Sequence, residues 1–142
     1  MHARAVGALL AALAVLAASG CAALRSKTPA GEAPAIELGD YAKGVEADVL
    51  AAFAKTASAR FAKGEPLAAA LKDLAANKFD CAASIQKGGE PPAQVCRRVI
   101  KADDCTNTWQ VHLFAGGAEK DVVERARGLY DKTCGKEELL GG

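Results

Sequence analysis

Hydrophobic positions along the chain follow two periods, separated by aperiodic stretches. Ala5 to Ala18 is an unbroken run of alanine, leucine, valine and glycine with no charge and no period. Residues 22–38 are also aperiodic and are interrupted by Pro29, Gly31 and Pro34, so they read as a tether. An ordered segment packed on the domain is the alternative. Over residues 40–62 the apolar side chains Val45, Val49, Phe53, Ala57 and Phe61 recur every four positions, one stripe of a helix. Lys43, Glu46, Lys55 and Arg60 remain for its wet faces. Asp40 can cap the start, although Gly44 weakens the first turn and moves the expected start toward Val45. Lys63-Gly64 breaks the helix. Pro66 suits the first position of a second one, with Leu67, Leu71 and Leu74 on one face and Asn77-Lys78 as its end. So short a link predicts that the two helices fold back on each other.

Beyond Lys78 the period drops to two. Residues 78–84 form a candidate first strand and Gln94 to Lys101 a second, in which Val95, Arg97 and Val99 alternate with Cys96, Arg98 and Ile100. Thr106 to Phe114 is a third: Trp109, Val111 and Leu113 point one way, Gln110 and His112 the other. Residues 122–133 fit two readings. Asp121 and Glu124 could open a helix with Val122, Ala126 and Leu129 on one face. The cysteines favour a fourth strand.

Four cysteines lie in this half: Cys81, Cys96, Cys105 and Cys134. Facing Cys81 with Cys96 centres an antiparallel hairpin between Gly88 and Gly89, a pair suited to a two-residue turn. Pro91 and Pro92 argue for an edge position or a longer loop there. Facing Cys105 with Cys134 centres a hairpin in the polar run 116–121 and requires 122–133 to be extended. Pairing Cys96 with Cys105 would centre on Ile100-Lys101, short of the better turn at Ala102-Asp103-Asp104. Three connectivities are formally open, and turn chemistry favours Cys81–Cys96 with Cys105–Cys134. Each bridge contributes about 2–4 kcal/mol. A zinc site is disfavoured because no Cys-x-x-Cys pair is present. The same absence argues against haem attachment and thioredoxin-type redox chemistry. No metal or cofactor is expected.

The fifth cysteine changes the picture of the amino end. His2 and Arg4 precede the apolar run, and Ala18-Ser19-Gly20-Cys21 closes it. These are the parts of a secretory signal, and the stretch resembles the processing site of bacterial lipoproteins, with Ala18 where leucine is usual. That resemblance implies a signal peptide over 1–20, lipid on Cys21, a tether over 21–39, a domain over 40–135 and a tail over 136–142. An ordinary signal peptide with an incidental Cys21, or an uncleaved anchor, are the alternatives. By the same resemblance Ala22, which is not aspartate, implies the outer membrane rather than the inner. Stable anchoring needs more than one acyl chain. Oxidised cysteines suit an exported domain. Without Arg4 the 18 basic side chains of the chain become 17, equal to its 17 acidic ones, so there is no basic excess to hold nucleic acid.

No catalytic motif stands out. His112 is the only imidazole after the leader, and a solvent-facing strand histidine is its simplest reading. Asp103-Asp104 read as turn residues rather than a cation site. Arg97 and Arg98 fall on opposite faces of a strand. Arg125 and Arg127 share a face if extended, with Arg97 or Arg98 nearby, and could meet an acidic partner or a phospholipid headgroup. Trp109 reads as core rather than a ligand platform.

A further set of stretches carries a resemblance. Phe61-x-x-Gly64, an amphipathic helix and Leu74-x-x-x-x-Phe79-x-Cys81 are followed by Cys96-x-Arg98, Cys105-x-x-x-Trp109-x-Val111-x-Leu113 and Tyr130-Asp131-x-x-Cys134. This looks like a group of small exported proteobacterial proteins. The layout is also similar to the small lipoprotein subunit of the outer-membrane β-barrel assembly machine and to β-lactamase-inhibitor-like domains. The expected fold is α+β, with two amino-terminal helices on a three- to four-stranded antiparallel meander held by two disulfides. The expected function is a non-enzymatic envelope interaction or scaffold module facing the periplasm. It would be bound to the membrane through Cys21 and to an envelope protein through a sheet edge or face. A tethered inhibitor or ligand-binding domain is the alternative, and a hydrolytic enzyme is less favoured.

Overall fold

The computed structural model describes residues 33–116 and 120–135. The leader, Cys21, the first part of the tether and the tail 136–142 lie outside the described residues. The fold is α+β, as the pattern implied: α1 (Glu46–Arg60), α2 (Leu67–Ala76), then β1 (Asp80–Ala83), β2 (Gln94–Ala102), β3 (Cys105–Ala115) and β4 (Val123–Cys134). The strands form one antiparallel sheet in the order β1-β2-β3-β4.

The helical stripe buries Val49, Phe53, Ala57 and Phe61. Val45 does not join it: it is the N-cap residue and is 66% exposed. Asp40 caps an earlier turn instead, its Oδ1 accepting from the Lys43 amide and its carbonyl from Gly44. Gly44 permits that turn, because a Cβ there would collide with the Asp40 carbonyl oxygen. Pro66 likewise stands one place earlier than expected, as N-cap of α2.

The helices do not pack closely along one another, contrary to the short-link expectation. Instead α1 lies over β4 and α2 over β1. On the side of the sheet toward the helices, Trp109, Val111, Leu113, Cys96, Val123 and Tyr130 are buried in one cluster with Val49, Phe53, Ala57 and Phe61 of α1 and its end and with Ala70 and Leu74 of α2.

Helix α2 ends in a Schellman motif. Phe79 N donates to Leu74 O and Lys78 N to Ala75 O, each at 3.0 Å, and Lys78 takes the left-handed φ of 64°. Lys78 therefore belongs to the cap, and the first strand starts at Asp80 rather than residue 78. Phe79, at the position after the cap, drops into the core beside Leu74.

Cys81 faces Cys96 and Cys105 faces Cys134, and both pairs are bonded. The β1–β2 register is the one the Gly88-Gly89 centre implied, and both glycines take positive φ. The pairing nevertheless stops at Ala83 and Gln94, so residues 84–93 form a long loop, not a two-residue turn. Asp103-Asp104 make the β2–β3 turn between paired Ala102 and Cys105, with Asp103 at φ 54°. Residues 123–134 are extended, and a register shift falls at Phe114/Ala115.

Residues 33–38, expected within the tether, belong to the domain. Ile36 is 4% exposed and lies in the core cluster. Its amide donates to Asn77 Oδ1 at 2.8 Å. Arg60 donates from Nε and Nη2 to both Asp73 carboxylate oxygens at 2.7 Å, and reaches the Ala35 and Pro34 carbonyls. Trp109 Nε1 donates to Leu38 O at 3.1 Å. A hydrophobic residue every second position, Ile36 and Leu38, was the available signal, but two residues are too few for a period.

Candidate functional site: the uncovered sheet face

Alternation along the strands gives the sheet two unlike faces. The residues opposite the helices are Asp80 and Ala82 on β1, Val95, Arg97, Val99 and Lys101 on β2, Thr106, Thr108, Gln110, His112 and Phe114 on β3, and Arg125, Arg127, Leu129, Asp131 and Thr133 on β4. Neither helix covers this face. It mixes aliphatic, hydroxyl and cationic side chains, and Val99 is 46% exposed on it.

Register fixes the neighbours. Val95, His112 and Arg127 stand in one cross-strand row, and Asp80, Arg97, Gln110 and Leu129 in the next. His112 is thus opposite Trp109 in facing, as its alternation implied. Its Nε2 lies 3.1 Å from Gln110 Oε1. The carboxamide oxygen accepts, so the neutral ring carries its proton on Nε2 and its lone pair on Nδ1. Burial, and then the Arg127 charge, push the imidazole pKa below its ordinary 6.5. A carboxamide neither takes nor gives a proton at working pH, so this contact orients the ring without activating it.

The arginines separate as their spacing indicated. Arg98 turns to the helix side, where Nη1 donates to Asn77 O at 3.1 Å. Arg97, Arg125 and Arg127 share the uncovered face. Arg125 is engaged: its Nη2 bonds Glu90 at 3.0 Å, and its guanidinium lies 3.5 Å over the Phe114 ring. Arg97, Lys101 and Arg127 make no ion pair among the described residues.

Loop 84–93 rises beside β1 and bounds a concavity of about 450 Å³ lined in part by Ile85, Val95, Arg97, Gln110 and His112. Its root is held by Cys81–Cys96, by Ala93 N donating to Leu113 O at 2.7 Å, and by the Glu90–Arg125 pair. Ile85 is 95% exposed. Sequence reasoning missed this wall because a loop without a period gives no cue to where it lies. It missed the Arg60–Asp73–Asn77 cluster for the same reason that it missed the ordered segment on which that cluster closes.

The other candidates fall elsewhere. Trp109 is fully buried, edge-on to Tyr41 at 4.9 Å and tilted against Tyr130 at 5.1 Å. Asp103-Asp104 sit in their turn, and no group of three His, Cys, Asp or Glu side chains able to hold a metal occurs among the described residues. No helix among the described residues is long and apolar enough to cross a membrane. Comparison with protein-family models, with curated proteins and with solved structures found no match.

Proposed function

We propose that this chain is a lipoprotein held at the periplasmic face of the outer membrane by acyl groups on Cys21. Its domain acts as a non-enzymatic interaction module for an envelope protein. The observation that carries the recognition part is the sheet face left without a helix layer. A sheet that keeps one side uncovered normally makes it polar. This one keeps Val95, Val99 and Leu129 among its cations, the composition of a surface that is covered part of the time. Two disulfides in about a hundred residues fit an oxidising compartment, and the leader supplies a route there. The organisation of His112 supports binding over catalysis, since its ring meets an amide and not a nucleophile or carboxylate.

Two measurements test the reading. Intact-mass analysis of membrane-extracted protein should show acylated Cys21 as the first residue; a chain beginning at Met1 would refute the anchor. A photo-crosslinking side chain at Val99 should capture one discrete envelope protein in intact cells, while the same group at Lys55 on the helix side should not. Equal labelling from both positions, or none from Val99, would refute the docking face.

A further inference from the structure

The concavity beside loop 84–93 combines two features that call for one kind of ligand. Arg97 is exposed and without an ion pair among the described residues, although Asp80 stands directly opposite it in register. Arg127 flanks His112 on the other side, also unpaired among the described residues. Ile85 offers a whole aliphatic side chain to solvent on the wall, with Val95 partly buried on the floor. We infer that this concavity receives an extended acidic peptide segment of a partner protein. One carboxylate meets Arg97, a second meets Arg127, and an apolar side chain of the same segment packs on Ile85 and Val95. This deepens the proposed function and rests on the same face.

The charge pattern selects the occupant. Arg97 and Arg127 lie on strands either side of β3 and in adjoining rows, two residues apart along the strand, so their backbones are about 12 Å apart. Carboxylates on alternate residues of an extended segment lie about 7 Å apart, and side-chain reach closes the difference. The intervening residue of such a segment faces the other way, so the apolar contact on Ile85 comes from beyond either acid. Asp80, in the same lining, opposes a doubly charged phosphate more than a single carboxylate. Placement points the same way. The segment leading back toward Cys21 packs on the helix side, where Leu38 O accepts from Trp109 Nε1. The concavity opens on the opposite side of the sheet, away from where that segment joins the domain. A peptide from a partner therefore suits the site better than a headgroup of the anchoring bilayer. The Cys81–Cys96 bridge fixes β1, from which the wall extends, against β2.

The test uses the full chain and a fluorescein-labelled Leu-Ser-Glu-Ser-Glu-Ser peptide, whose leucine and two acids share one face when extended, read by anisotropy. The peptide with Gln for every Glu should bind about tenfold more weakly. Arg97→Gln should weaken the Glu peptide about tenfold and Ile85→Ser about fivefold, with far-UV circular dichroism and the melting midpoint unchanged. Lys55→Gln serves as the control and should change nothing. Equal binding of the two peptides, or wild-type affinity in both variants, overturns the inference. Displacement of the Glu peptide by phosphatidylglycerol vesicles also overturns it, because the site would then serve headgroups. If the Val99 crosslink persists while the peptide fails, this inference falls and the docking face stands.

Discussion

Gly128 of β4 lies directly beneath Ala57 of α1: a Cβ on Gly128 would stand 3.0 Å from the Ala57 Cβ and 3.0 Å from the Phe53 carbonyl oxygen. The helix rests on bare backbone here, and that contact sets its height above the sheet. Gly128→Ala must either lift α1 or compress it against β4. The expected cost is about 1–3 kcal/mol, read as a lower urea midpoint with an unchanged slope. Gly128 makes no use of positive φ, so the loss would be packing alone. A midpoint equal to wild type would show that α1 has slack at this point.

Removing either disulfide should be costly in a domain with so few aromatic side chains. The bridges span 15 and 29 residues of sequence. Loop-closure entropy alone gives about 3 kcal/mol for the shorter and slightly more for the longer. The paired variants Cys81→Ala/Cys96→Ala and Cys105→Ala/Cys134→Ala should each melt more than about 10 °C lower. Calorimetry of the oxidised forms measures this. A drop of only a degree or two in either would mean that the unfolded chain is already compact near that loop.

Elements whose order rests on a repeated interval were legible in the sequence. The four-residue stripe from Val49 to Phe61 and the alternation around Trp109 are of this kind. The disulfide register was legible too, since it converts residue numbers into opposed positions and tests them against turn chemistry at Gly88-Gly89. That argument also chose a strand over a helix for residues 122–133, where Val122, Ala126 and Leu129 alone could support either. What escaped depends on single contacts made across long sequence distances. Ile36 is held by Asn77, and Pro34 and Ala35 by Arg60, and a proline-broken stretch conceals that. Lys78 hid a helix cap because glycine, the residue that usually marks one, is not there. Of the candidate site, the facing of His112, Arg97 and Arg127 was readable from alternation. The wall carrying Ile85 was not, because no period runs through loop 84–93.

Arg60 ties the ordered amino-terminal segment to both helices. It bonds Asp73 through two nitrogens and also holds the Pro34 and Ala35 carbonyls. The Asp73 carboxylate, with burial opposing, raises the guanidinium pKa above its already high ordinary value. Arg60→Met should release residues 33–38 without unfolding the sheet. The readout is hydrogen exchange at the Ile36 amide, which donates to Asn77 and should lose about tenfold or more of its protection. Arg60→Lys should not restore it, because a single ammonium cannot span the carboxylate and two carbonyls. Wild-type protection in Arg60→Met would mean that Ile36 burial alone holds the segment.

His112 gives the face a pH dependence whose sign follows from its surroundings. Its ring meets the Gln110 carboxamide on its own strand and Arg127 across β4, with Val95 opposite on β2 and Arg97 and Asp80 in the adjoining row. Burial, then Arg127, lower its folded pKa below 6.5. Above that pH the ring is neutral whether the chain is folded or not, and it contributes no slope. As pH falls through about 6.5 the unfolded chain takes the proton first, so stability falls, and the loss is complete once the folded pKa has been passed. The stability difference between wild type and His112→Gln should therefore change only within that window. Because His2 and His112 are the only histidines, the ring can be followed directly by proton NMR. Its midpoint should lie below 6.5 and move partway back in Arg127→Gln, since burial, the larger cause, remains. A midpoint at or above 6.5 in the wild type would show that the ring is better hydrated, or nearer an anion, than the uncovered face allows.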